Sequence, residues 1–254
     1  MDDPLLALCR ASLRAELAIG TIALAGALLA GPPVARRLGL SRVDPGLGGH
    51  GLGWLVLGTL ALSHALDAAL ALTGLGEQSA LAHFPALLAG ARGERLLVAL
   101  VALGLAPAVA EELLCRGLLQ RALVARIGPG FGIGLAAAVF GALHLEPIHA
   151  GFALLLGLYL GAAAHWAGHT WAAIVCHGVN NLTAVGLAAL AWQLPTGPLS
   201  LILGTALAAA CGWHARREAL RSRSALVPAP ERHPEGPEGP LPKSLQREPG
   251  SDDG

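Results

Sequence analysis

The stretch Leu96-Leu-Val-Ala-Leu-Val-Ala-Leu-Gly-Leu-Ala-Pro-Ala-Val-Ala-Glu-Glu-Leu-Leu-Cys-Arg116 decides the reading of this chain. It is apolar for fifteen residues and then presents Glu111, Glu112 and Arg116 with no break in the apolar run around them. A charged group at bilayer depth costs roughly 2.5–3.5 kcal/mol even on lenient insertion scales, so such residues mark function or a structural ion pair. Glu112 and Arg116 are spaced i,i+4 and share a helix face, where they can pair. Glu111 projects about 100° away, toward a different partner. One glutamate would then neutralise the arginine while the other is left for chemistry as a general base. Taken alone, the motif is equally compatible with an ion-pair cluster that locks helices together.

The rest of the chain supports a membrane setting. Of 254 residues 54% are hydrophobic and 13% charged, about half the charge of an ordinary soluble domain. Ala, Leu, Gly and Val dominate, and small residues let transmembrane helices approach closely. The formal net charge is zero, so charge gives no argument for a nucleic-acid partner. Cys9, Cys115, Cys176 and Cys211 form no CxxC pair and read as small buried hydrophobes. The Met-Asp-Asp start lacks a cationic region and a small-residue cleavage site, so the first apolar segment is expected to remain as a span.

The expected fold class is all-α, a polytopic transmembrane bundle of about seven spans at 15–35, 51–73, 95–124, 131–145, 148–165, 169–192 and 198–214. Segment 79–93, with His83, Pro85 and Arg92, is expected at the interface instead of crossing. The domain division is 1–214 for the transmembrane part and 215–254 for a disordered tail, in which seven prolines follow Val227. Loop arginines fall at 36, 37 and 42, at 121 and 126, and at 216–223, with Arg10 and Arg14 near the N-terminus counting the other way. Seven spans put the loop arginines on one side, which the positive-inside rule makes cytoplasmic. The run at 216–223 then reads as an anchor beside anionic membrane lipid.

Two more spans carry polar side chains at helical spacing. Phe140 precedes His144 by four residues, and His177 precedes Asn181 by four, so each pair shares a face. Depths counted from the arginine-rich ends, at about 1.5 Å per residue, put Glu111 at roughly 15 Å, His177 at roughly 12 Å and His144 at roughly 20 Å. These groups are expected to converge in one cavity nearer the cytoplasmic leaflet. His64 and Asp67 share a face of the second span and read as an interior helix–helix pair. His149, His165 and His169 read as solvated residues at span ends.

Glu111-Glu112-Leu-Leu-Cys-Arg116 resembles the EExxxR motif of the CAAX prenyl protease and bacteriocin-processing (CPBP, or Abi) family of intramembrane proteases. Phe140-Gly-Ala-Leu-His144 resembles its FxxxH motif and His177-Gly-Val-Asn-Asn181 its HxxxN motif, in the same order, over about 95–192. The resemblance implies a glutamate-dependent endopeptidase whose catalytic residues are Glu111, Glu112, His144, His177 and Asn181. Glu111, aided by His144, would activate water, and His177 and Asn181 would stabilise the oxyanion. Glu112 and Arg116 would hold the architecture, with Phe140 in support, although Glu112 could share the base role.

That family has also been described as metalloproteases, and zinc held by a glutamate and two histidines is chemically feasible. HExxH is absent and Asn is a poor zinc ligand, so metal-free catalysis with no cofactor is favoured. The expected partners are membrane lipid and a membrane-anchored protein or peptide substrate, with processing or sorting of a C-terminal tail preferred. The bias of Arg over Lys and the Ala/Gly/Leu richness favour a bacterial inner membrane. Two other classes fit buried acids and histidines: a proton-coupled carrier, against which no internal repeat is seen, and a non-catalytic scaffold.

Overall fold

The computed structural model describes residues 3–41 and 47–225, and no strand occurs among them. Six helices are long and apolar enough to cross a membrane, and a seventh, shorter apolar helix lies between two of them. We number these α1 (Pro4–Leu29), α2 (Gly49–Thr73), α3 (Gly93–Ile127), α4 (Pro129–Ala142), α5 (Pro147–Ala167), α6 (Trp171–Ala189) and α7 (Pro198–Ser224). Arg42 and the Pro-rich stretch after Val227 lie outside the described residues.

The helix ends follow from local chemistry. Asp3 caps α1 by accepting from the Leu5 N–H at 2.9 Å, and Pro4 occupies the first turn, where a missing N–H costs nothing. This start lies eleven residues before the sequence-based boundary, so Glu16 sits well inside the helix and not at its edge. Between α4 and α5, Glu146 takes the capping role and Pro147 the first turn, with the reversal made by Leu145 at φ 57°. At 14 residues, or about 21 Å, α4 falls short of a bilayer core of about 30 Å. The carboxylate of Glu146 accepts from the Ser79 hydroxyl and from the N–H groups of Ile148 and His149. The Ser79 bond foremost, then the Ile148 N–H, holds that carboxyl below the usual range.

Helix α3 is interrupted by two π-helical stretches, Leu100–Leu105 and Leu113–Gln120, on either side of Ala106–Glu112. Pro107 supplies a cause for the first, because it cannot donate to residue 103 and its ring crowds that carbonyl. Helix α7 runs through Ser224, nine residues past the expected start of the tail, so the arginine run is helical. The segment between α2 and α3 forms short turns and the five-residue helix Phe84–Leu88, with no spanning helix, as its sequence suggested.

The helix ends gather in two groups. At one end Asp3 pairs with Arg95 at 2.8 Å, Ser79 reaches Glu146, and the Gly90 N–H donates to Ala189. At the other, Thr170 donates to Leu38, and Arg223 donates to the carbonyls of His165 and Trp166. Arg36, Arg37, Arg121 and Arg126 belong to this second end, in accord with seven alternating passes.

Helix α7 lies along α2 through small residues. A Cβ on Gly204 would stand 2.8 Å from the Ala61 carbonyl oxygen and 2.9 Å from the Ala65 Cβ, neither of which can swing away. Gly204→Leu is therefore expected to lower the unfolding midpoint in detergent, costing about 1–3 kcal/mol of overpacking. Gly186→Ala, with open space around it, serves as the unaffected control.

Candidate active site

Arg116 and Glu112 are 1% and 0% exposed, and the Arg116 Nη1 donates to Glu112 Oε1 at 2.8 Å. Arg116 Nη2 donates across to the Gly157 carbonyl of α5 at 2.9 Å, and its guanidinium lies over the Phe140 ring at 4.2 Å. One turn further along α3, Gln120 Nε2 donates to the Gly161 carbonyl, also at 2.9 Å. Gly157 and Gly161 are one turn apart on α5, and a Cβ at either would collide with Phe140 or Gln120. Two donors on one helix thus clip two carbonyls on the next, and the glycines make room for them.

The same Glu112 oxygen accepts from His177 Nδ1 at 2.9 Å. With Nδ1–H directed at the carboxylate, Nε2 carries the lone pair and accepts from Asn181 Nδ2 at 3.0 Å. Asn181 also donates to the Leu103 carbonyl at 3.4 Å and receives a bond from Asn180 at 3.3 Å. Glu112 therefore orients His177 as well as pairing Arg116, a link that i,i+4 spacing within single helices could not reveal.

Glu111 turns away from this network, as the 100° offset requires. It is 7% exposed, and its Oε2 has no hydrogen-bond partner among the described residues. It lines a cavity of about 890 Å³ together with Phe140, His144, His177 and Asn181. His144 donates from Nδ1 to the Phe140 carbonyl at 3.0 Å, which leaves Nε2 as its basic nitrogen. The structure thus brings every sequence-derived site residue except the buried Glu112 and Arg116 onto one cavity wall, and sets those two directly behind it.

Five further residues line the cavity in places the sequence reading did not assign to them. His149 packs edge-on against His144 with ring centroids 4.3 Å apart and lines the cavity, because the Glu146-Pro147 turn folds α5 back under α4. Asn180 lines it beside Asn181. His64 and Asp67, expected as an interior pair, also face it. Glu16 of α1 lines it as well, and a helix boundary placed at 15 hid that acid as an end residue.

The cavity also corrects the depth argument. Its remaining walls include Phe84, Pro85, Trp192 and Leu194, all from the end opposite the arginines. Counting depth along each helix located the side chains but not the direction in which the bundle is hollow. The glycine-mediated contacts of α3 with α5 fill the arginine side, and the space remains on the other.

Among the described residues, no three His, Cys, Asp or Glu side chains cluster as metal ligands. Glu112 and His177 are bonded to one another, Glu112 also to Arg116 and His177 also to Asn181. The four cysteines are free and buried.

Residues 93–183 match the family model described as Type II CAAX prenyl endopeptidase Rce1-like. No curated protein and no solved structure matches the chain.

Arg116→Met is expected to destabilise the protein by about 3–5 kcal/mol, because it leaves the Glu112 carboxylate buried and uncompensated. Glu111→Gln should cost far less, since Glu111 has no ion-pair partner. Thermal unfolding of the purified variants in detergent compares the two.

Proposed function

We propose, from the membership of residues 93–183 in the Rce1-like CAAX prenyl endopeptidase family, that this integral multi-pass membrane protein is a glutamate-dependent intramembrane endopeptidase. The observation that carries the reading is the unpartnered carboxyl oxygen of Glu111 on a cavity wall shared with His144, His177 and Asn181. Water held at Glu111 gives up a proton to its carboxylate, with His144 Nε2 as the second acceptor that orients it. The oxygen attacks the peptide carbonyl carbon. Charge developing on the carbonyl oxygen is met by the Asn181 amide, which His177, held by Glu112 through Nδ1, positions. The proton then passes to the leaving amine. Arg116 fixes Glu112 in place through its Nη1 bond.

No metal or other cofactor enters this mechanism. The cavity opens away from the arginine-bearing end, so under the positive-inside rule it faces the extracytoplasmic side. The substrate is a membrane-anchored protein or peptide cut near that face, consistent with removal of a C-terminal sorting tail in a bacterial inner membrane. Polar walls at mid-depth and apolar Phe84, Trp192 and Leu194 near the mouth suit a segment that leaves the bilayer as it enters.

Purified protein in liposomes, incubated with membrane-anchored candidate substrates and read by mass spectrometry, tests this. Glu111→Gln should abolish cleavage while the protein stays folded. His177→Ala or Asn181→Ala should reduce kcat about 10²–10³-fold. A chelator should leave the wild-type rate unchanged; chelator-sensitive cleavage would reassign the chemistry to a metal. Function retained in Glu111→Gln would indicate a scaffold.

A further inference from the structure

Glu16 lies on α1, outside the matched segment, and is 8% exposed. Its Oε2, like that of Glu111, has no hydrogen-bond partner among the described residues. Both carboxyls line the same cavity. The helices are held together beside them: Gly20 faces Ala110, and Ser12 donates to the Ala102 carbonyl at 2.7 Å. Arg116 is bonded to Glu112 and the Gly157 carbonyl. The other titratable groups facing the cavity are His64, Asp67, His144, His149 and His177, and His177 is held by Glu112.

Two carboxylates that share a buried site without a dedicated cation disfavour ionising together. The geometry points to Glu16 as the positioning residue of Glu111, the second member of a carboxyl pair that keeps one proton at the reaction centre. This rests on the peptidase reading of Glu111. The pair begins the cycle with one proton and one negative charge. As the water oxygen bonds to the carbonyl carbon, the pair takes the water proton and holds two. As the C–N bond breaks, it delivers one to the amine nitrogen. It ends with the single proton it began with, and the products are a carboxylic acid and an amine. Glu16 thus lets the charged member serve as base while the neutral member secures the proton for the leaving group.

Infrared spectra of the protein in lipid, followed through a pH titration, read the protonated carboxyl C=O band directly and need no substrate. Wild type, Glu16→Gln, Glu111→Gln and the double variant are compared. Coupling makes the effects non-additive: each single substitution alters the titration of the carboxyl that remains. Additive changes, with Glu111 titrating identically whether or not Glu16 is present, overturn the proposal. Reading Glu16 in the Glu111→Gln background keeps the test valid if Glu16→Gln folds poorly. With a cleavable substrate, Glu16→Gln is expected to lower kcat about 100-fold with little change in KM and to remove one limb of the pH–rate profile. Glu16→Asp should restore part of the rate, whereas an unchanged profile in Glu16→Gln overturns the role. Coupled titration in a protein that cleaves nothing would count against the peptidase reading and leave the pair intact.

Discussion

The buried contact between Glu112 and Arg116 is the constraint on which the site depends. Two charges fully withdrawn from water are tolerable only when their remaining hydrogen-bonding capacity is used, because their mutual attraction alone does not offset desolvation. Here Glu112 Oε1 and both Arg116 Nη atoms are used, the first and last across helices, while Glu112 Oε2 and Arg116 Nε have no partner among the described residues. Arg116 reaches the Gly157 carbonyl on α5 and covers Phe140 on α4, while Glu112 also takes His177 from α6. Four of the seven helices therefore meet at one ion pair. Its worth lies less in net stability than in geometry, since a shift of any of these helices would strand a charge.

That arrangement explains why two adjacent glutamates have different fates. They differ by one helical step, and the step separates a closed environment from an open one. Glu112 faces Arg116 and His177 and is fully enclosed; Glu111 lines the cavity and has no ion-pair partner among the described residues. The π-helical stretch beginning at Leu113 lies directly after the pair and widens the turn that carries Arg116. The small residues of α5 are equally part of the device. Without Gly157 and Gly161 the α3 donors could not reach main-chain carbonyls, and a buried guanidinium would lack its second partner.

Much of this was legible in the sequence. The i,i+4 pairing of Glu112 with Arg116, the separate direction of Glu111 and the shared faces of Phe140 with His144 and His177 with Asn181 all follow from 3.6 residues per turn, and the structure has each of them. Relations between helices were not legible. The bond from His177 to Glu112 spans 65 residues, and nothing in either local pattern points to it. His149 depends on a sharp reversal at Leu145 and Glu146, so it comes back onto His144 although five residues separate them. Glu16 was hidden by hydropathy itself, because Arg10 and Arg14 make the first three turns of α1 look like a flank. The cap at Asp3 shows that the helix had already begun.

The direction of the cavity has a further physical cause. The clips from Arg116 and Gln120 to α5 lie on the arginine-bearing half of α3, where they draw the two helices together. On the other half, α3 carries Pro107 and a π-helical stretch, and its neighbours α5 and α6 end in turns and not in further helix. Tight packing on one side of Glu111 and helix ends on the other leave an opening in only one direction. The motif segment supplies the inner wall of that opening. Helices α1 and α2, with Ser12, Glu16, His64 and Asp67, supply the outer wall. A site read from residues 93–183 alone would thus have its reactive carboxyl but lack half of the polar surface that carboxyl faces.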